Sequence, residues 1–365
     1  MQGWDGVMVA GKVVMDSLTH IVLGAAIGEL VAGRKLGKKA LLIGAVANSL
    51  PDIDFVSAFW LDTSRDVVFH RGITHSLLFV VVMAWLLALV AGRVDRSGRL
   101  SDRSRGVVDR SGGMKRGDWV LLFGLELFTH IFIDAFNAYG TGWFEPFDHH
   151  RVCFNVLFVA DPLFSVWLGM AAVMLVVLRR TSRVRRRWAW FGLVMSSGYL
   201  LYSVVNKFRV DRVVERQLGA AGIRYERYFT TPTPFNDLLW YVVVADSAGY
   251  YTGYRSVFDE TARPIDFRWQ PRNEPLLRSF AGRADVGYLR RFAQGYYTVG
   301  IYRDSLVFNV LRFGEMQGWR RPAAPFVFHY FLVDPAANQF VVQRGRWQDW
   351  DGAAVKAFVR RMEGP

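Results

Sequence analysis

Apolar residues over the first 206 positions fall into long uncharged runs separated by short basic stretches, a pattern that predicts membrane helices. No Asp, Glu, Lys or Arg lies between Arg71 and Arg93. A run of that length meets the roughly 20 residues needed to cross a bilayer core. Residues 162–178 and 188–206 read the same way, the latter opening on Trp188 and Trp190 at an interfacial position. Residues 119–139 are apolar but interrupted by Glu126, His130 and Asp134. Two shorter apolar pieces, 20–31 and 40–50, flank Arg34, Lys35, Lys38 and Lys39. At about 1.5 Å per residue each is short for a span, so a helical hairpin, re-entrant in the membrane, is expected there. Residues 1–15 lack the basic, apolar and small-residue regions of a cleaved signal, so no cleavage is expected. From Lys207 onward the chain is charged, aromatic and turn-rich, with strand-like pieces at 241–245, 307–312 and 326–333. The expected architecture is therefore a mainly α, multi-pass membrane helical bundle over 1–206. A soluble C-terminal α+β domain with a mostly antiparallel sheet follows over 207–365.

Composition agrees with this division. Hydrophobic residues make up 52% and charged residues 21%, which argues against a disordered chain and against a wholly soluble one. A single cysteine, Cys153, excludes an internal disulfide framework and a Cys-based zinc cluster. The net charge of +13 would suggest nucleic acid until it is located. Residues 93–117 carry eight Lys/Arg against three Asp, and residues 179–187 carry six Arg and no acid. Both stretches lie between apolar runs, so the basicity is first a topology signal. Specific nucleic-acid binding is not expected, because aromatics are scarce there and phosphate affinity alone is nonspecific. Val-Asp-Arg-Ser-Gly recurs at 94–98 and 108–112, as in a duplicated flexible linker.

Basic short loops stay cytoplasmic. That places 34–39, 93–117 and 179–187 inside, and the N-terminus, the 48–75 and 134–161 loops and the tail outside. Six of the seven histidines fall in or beside those outer segments. Four pieces carry the candidate chemistry: Asp16-Ser-Leu-Thr-His20, Pro51-Asp-Ile-Asp54, His70-Arg-Gly-Ile-Thr-His-Ser76 and Thr129-His-Ile-Phe-Ile-Asp134. On a helix, His130 and Asp134 at i and i+4 share one face, with Glu126 a turn earlier. Such a stripe is costly in lipid and should face a polar cavity or a metal. Imidazole nitrogen and carboxylate oxygen suit zinc, iron or manganese. Pro51 favours ending the preceding helix, which leaves Asp52 and Asp54 in a turn at the mouth of the bundle. Read blandly, either aspartate is a helix-terminal turn residue, Thr74 an N-cap and His70 an interfacial histidine. Glu126 orients an imidazole or pairs with a cation; Arg71 grips a phosphate oxygen or anchors at the headgroup layer. His149 and His150 suit a solvated loop, and His329 a structural place in a strand.

In this order, and with Tyr139-Gly-Thr141 following, these motifs resemble the YdjM-like family, inner-membrane-associated metal-dependent hydrolases described as LexA-binding. The resemblance covers residues 15–165 and continues more weakly through Thr231-Pro-Thr-Pro-Phe-Asn-Asp-Leu-Leu-Trp240. It implies a bacterial inner-membrane location and a metal site. The ligand order is also distantly similar to that of zinc-dependent phospholipases C and related nucleases. That similarity implies His20, then Asp52 or Asp54, then His70 or His75, then His130 with Asp134 as a bridging carboxylate. The later third-metal cluster and terminal tryptophan ligand of those enzymes have no clear counterpart, so the similarity implies two divalent ions, zinc first, with manganese or iron as alternatives. Arg71 and Glu126 are the candidate catalytic side chains. The chemistry expected is hydrolysis of a phosphoester, an amphiphile or lipid headgroup suiting a site at the membrane surface. The competing expectation is a membrane scaffold with a structural metal and a partner-binding tail of unidentified partner. A proton pathway through Glu126, His130 and Asp134 is disfavoured, because 119–125 offers no polar continuation.

Overall fold

In the computed structural model, residues 5–96, 113–302, 305–321, 324–335, 338 and 350–364 are described, with side chains from residue 17 onward. The second linker repeat and the last two residues of the first lie outside the described residues. The chain divides into two compact units.

The first unit, built from 1–56, 70–154 and 159–201, is helical. Helix α1 spans Asp5–Leu36 and α2 spans Lys39–Asn48. A 3₁₀ segment, Pro51–Phe59, leaves α2 at a 55° bend. Pro51 disfavours helical backbone at Leu50, which accounts for the break. A short 3₁₀ turn, Ile73–His75, leads into α4, Leu77–Arg96. The cap of α4 is Ser76, whose Oγ accepts from the Phe79 N–H at 3.0 Å, and not Thr74 as the sequence suggested. Helix α5 runs Arg116–Asp134, α6 runs Pro162–Val177, and α7 runs Val184–Ala220. Asp161 caps α6 through the Leu163 N–H at 2.9 Å, and Pro162 occupies the first turn, where its missing N–H costs nothing.

The closest packing is α1 on α2, and it is made by absent side chains. A Cβ on Gly24 would lie 2.4 Å from the Gly44 carbonyl oxygen, and one on Gly28 2.3 Å from that of Ala40. Gly24 and Gly28, like Ala40 and Gly44, are spaced four apart, so small residues line one face of each helix and let the backbones touch. At the opposite end of α1, Lys35 Nζ lies 2.6 Å from Asp118 at the start of α5, and Lys38 donates to the Val176 carbonyl at the end of α6. The 34–39 stretch thus meets the described end of the 93–117 loop, at Lys115 and Asp118, and Arg180 after α6 at one end of the bundle. His130 and Asp134 lie 12 and 16 residues further along α5, about 18–24 Å away.

Four apolar runs and a short helical hairpin were expected to make a multi-pass bundle. Among the described residues two helices are long and apolar enough to cross a membrane, α4 and α7, or three if the bent α2–3₁₀ pair counts as one span. At 16 residues α6 extends only about 24 Å against a core of about 30 Å. In α5 the ionisable stripe breaks the apolar run.

The second unit takes in 202–365 with 57–69 and 155–158. Within it lie helix α3 (Thr63–Phe69), strands β1 (Arg227–Pro232), β2 (Leu239–Ala245), β3 (Gly249–Ser256) and β4 (Arg268–Pro271), helix α8 (Ala284–Ala293), strands β5 (Tyr297–Tyr302), β6 (Ser305–Glu315) and β7 (Phe326–Phe331), and helix α9 (Gly352–Met362). Two antiparallel sheets result, ordered β1-β2-β3-β4 and β5-β6-β7. Strand β2 is buried throughout, and its side chains alternate between two cores. Trp240, Val242 and Val244 pack with Val210, Val214 and Leu218 of α7. Leu239, Tyr241, Val243 and Ala245 pack with Leu311 of β6 and Phe358 of α9. The boundary expected at 206/207 falls inside α7, which runs on unbroken. Its polar face continues the helix into this unit: Ser203 Oγ donates to buried Asp237 at 2.9 Å, and Lys207 Nζ to Thr230 Oγ1 at 2.9 Å. His329 is buried in β7 with Nδ1 3.1 Å from the Phe326 carbonyl, a structural place.

Candidate metal centre

Where α2 breaks, where the 70–76 turn enters α4 and where α5 ends, four side chains converge. His75 Nε2 and His130 Nε2 are 3.1 Å apart. Asp134 Oδ2 lies 3.4 Å from the first and 3.5 Å from the second. Asp52 Oδ1 lies 3.5 Å from each. All four donor atoms fall within 4.8 Å of one another. Four ligands about 2.0–2.1 Å from a shared ion form a tetrahedron with edges of about 3.3–3.4 Å. The observed spacing is that of such a cage. Asp134 Oδ2 is buried and makes no hydrogen bond, so an acceptor is aimed into the middle of the group. Two imidazole nitrogens and two carboxylate oxygens fit zinc, manganese or iron, so these residues could hold a divalent ion.

The surrounding residues fix the ligands. Asp54 Oδ2 accepts from the Arg71 N–H and the Thr74 hydroxyl, both at 2.8 Å, and lies 3.4 Å from His75 Nδ1; its Oδ1 lies 2.8 Å from His70 Nδ1. Asp54 therefore orients the His75 ring, the arrangement that raises ligand basicity in metal sites. His20 Nε2 lies 3.2 Å from Asp134 Oδ1, and its ring stacks on His130 at 3.8 Å. Asn48 bridges further: its Oδ1 lies 3.3 Å from His20 Nδ1, and its Nδ2 donates to the Glu126 carbonyl at 2.7 Å and to Glu126 Oε2 at 3.1 Å.

Of the seven proposed ligands, Asp52, His75, His130 and Asp134 form the group, while His20, Asp54 and His70 lie outside it and orient other residues. The expected pair of ions meets only one such group among the described residues. The Arg71 guanidinium sits 3.2 Å from Asp134 Oδ1. Fully buried, Arg71 also donates to Asn137 Oδ1 at 2.9 Å and stacks on Tyr139 at 5.5 Å. Its φ of +61° is a conformation that β-carbons disfavour, held here by the Asp54 hydrogen bond and by the Gly142 N–H donating to its carbonyl at 2.9 Å. A headgroup anchor would be exposed; this arginine is part of the centre. Glu126 is buried four residues before His130 and reaches the group only through Asn48 and His20. His149 is exposed and lies 2.8 Å from Glu145 Oε2, apart from the group. Asn48 and Asn137 were missed from the sequence. The one signal for Asn48 was an amide closing an apolar run just before Pro51.

His75 precedes the α4 span, and its protonation gives a test. Burial would push the imidazole down, but the carboxylates of Asp134, Asp52 and Asp54 around it more than offset that and hold the group well above its ordinary value. The metal-free protein therefore keeps a proton on His75 that a cation must displace. Zinc affinity is expected to rise with pH above 6.5, by up to about tenfold per unit, with proton release on binding. Zinc titration calorimetry in buffers of differing ionisation enthalpy measures both. A flat or falling affinity would show that His75 carries no such proton in the metal-free protein.

With this geometry in hand, comparison with known proteins places the chain. The YdjM inner membrane protein family matches residues 15–210. The chain belongs to that family. It is also 25% identical over 253 residues to the uncharacterized protein YfhP of Bacillus subtilis, covering 66% of this chain and 68% of YfhP. To inner membrane protein YbcI of Escherichia coli it is 26% identical over 136 residues, covering 37% of this chain and 69% of YbcI. No solved structure matches. The family match includes all four segments of the metal centre and ends within α7.

Proposed function

We propose that this family member is a membrane-bound hydrolase of phosphoesters that uses one divalent ion, zinc before manganese or iron, held by Asp52, His75, His130 and Asp134. The observation that carries the reading is the uneven burial of those ligands. The side chains of His75, His130 and Asp134 are at most 1% exposed, whereas that of Asp52 is 12% exposed. Of the four ligands only Asp52 has an appreciably exposed side chain, so a substrate oxygen would approach on its side. An ion there would supply Lewis-acid polarisation and activation of water. The chain's own residues do the rest. Arg71 sets a fixed positive charge beside Asp134, Asp54 holds the His75 ring, and Asn48 with Glu126 holds His20 against Asp134. Burial excludes competing water from three sides.

Basic loops gathered at the far end of the bundle support an extracytoplasmic centre in the bacterial inner membrane, by the rule that such loops stay inside. Membrane lipids are then the neighbouring partner, and the second unit is an extracytoplasmic domain. A second reading has its own observation: four protein donors close a tetrahedron, as structural sites do, which would make the chain a scaffold with a partner-binding second unit. Zinc-loaded full-length protein separates the two. X-ray absorption should show a non-protein oxygen beside the two imidazoles, and panels of phosphomonoesters, phosphodiesters and acyl esters should show phosphoester turnover. A closed four-ligand shell without turnover on any panel would establish the scaffold instead.

A further inference from the structure

Residues that build the centre alternate with large apolar side chains that face away from it. Ile53 stands between Asp52 and Asp54, and Ile73 between Arg71 and His75; both isoleucines are 53% exposed while Arg71 is 1% and His75 0% exposed. The loop after Tyr139 adds Phe144 and Phe147, the latter 85% exposed. Backbone hydrogen bonds tie these segments into one rim: the Gly142 N–H donates to the Arg71 carbonyl and the Leu77 N–H to the Trp143 carbonyl, each at 2.9 Å. Leu77 is also the first residue of α4, a candidate span that exposes Leu78, Val81 and Val82 immediately afterwards. Trp143 in turn stacks on Phe132 of α5, which stacks on exposed Phe128. The apolar surface of the bundle is thus continuous with the edge of a buried polar centre. Single exposed apolar residues are ordinary, but a joined patch with aromatics at the end of a span has the character of a membrane-interface belt.

We infer that this rim lies in the headgroup layer and admits a membrane phospholipid sideways from the bilayer. Its acyl chains stay along α4 and its phosphate enters past Ile53 and Ile73 on the Asp52 side. The inference deepens the hydrolase reading, and rests on it only in treating the lipid's phosphoester as the reacting bond. A water-soluble phosphate would gain nothing from four large apolar side chains around the entrance, whereas chains already in lipid stabilise that arrangement by remaining there.

The test uses full-length, zinc-loaded protein in phosphatidylcholine vesicles containing a phosphatidylglycerol with a diazirine on its headgroup glycerol. After irradiation, label is expected on peptides covering 52–75 and 137–147. The combined Ile73→Asp and Phe147→Asp substitutions should cut that labelling by about tenfold or more, the scale expected when even one large apolar contact is lost. Zinc per chain should not change. Label confined to α4 and α7 in the wild type, an undiminished yield in the variant, or complete competition by free glycerol phosphate would each overturn the inference. Mapping of the wild type decides the matter even if the variant misfolds. Site labelling without bound zinc would instead sink the metal reading and leave the lipid route standing.

Discussion

His130→Gln and Asp134→Ala are each expected to lower bound zinc from about one ion per chain to below about a tenth, measured by elemental mass spectrometry on purified protein. Each removes one of the four donors and leaves three that cannot close the shell. The two should differ in stability. His130 gives up its contacts with His75, Asp52 and Asp134 and its stack on His20. Asp134 also holds the Arg71 guanidinium at 3.2 Å inside the protein. Removing that carboxylate strands a buried positive charge, a loss on the order of 3–5 kcal/mol where one partner of a buried pair is deleted. Thermal melts of metal-free protein should therefore show a much larger drop for Asp134→Ala than for His130→Gln. Retention of full zinc by folded His130→Gln protein would refute the assignment of the centre.

Gly44→Leu is expected to disrupt the centre from a distance. A Cβ at this position would lie 2.2 Å from the Gly24 carbonyl oxygen and 2.7 Å from the Glu126 side chain at Oε1, and the Gly24 backbone cannot yield without moving a helix. Overpacking of this kind costs typically about 1–3 kcal/mol even where the surroundings adjust. Here the adjustment would move α2 and with it Asn48, which anchors His20, and the bend that presents Asp52. Gly169→Ala on α6, where a Cβ meets nothing within 4 Å, is the control and should be neutral or slightly stabilising. Detergent-solubilised protein followed by thermal melting and zinc content makes the comparison. A Gly44→Leu protein with unchanged melting and full zinc would show that close packing of α1 on α2 does not hold the centre together.

The His130–Asp134 pair was readable because it needs only helical periodicity: the two lie a turn apart wherever that segment is helical. Pro-Asp-Ile-Asp was readable as a place but not as a division of labour. Asp52 and Asp54 are two residues apart in a 3₁₀ segment, so their carboxylates leave in different directions, one to the ligand group and one to the 70–74 turn. The same holds for His70 and His75, of which only the latter reaches the group. Naming His20 and His70 among the candidate ligands also overlooked that orienting a ligand requires polar side chains of the same kinds. Arg71 shows the limit most sharply. Beside a ligand it read as free to grip a phosphate, yet its left-handed backbone turns it inward onto Asp134 and Asn137.

Alternating hydrophobicity and charge by themselves determined that this chain has a helical apolar part, a strand-rich tail and a set of oxygen and nitrogen donors without thiolate. Those properties are local, written in spacing a few residues long. Only the tertiary structure decided which donors meet. Ligands from the α2 bend, the 70–76 turn and the end of α5 are separated by up to 82 positions, and their convergence depends on how closely α1 and α2 approach through Gly24, Gly28 and Gly44. It also placed the unit boundary inside α7, because a helix continues wherever its next turn finds something to pack against, and the polar face from Ser203 to Lys207 found Asp237 and Thr230.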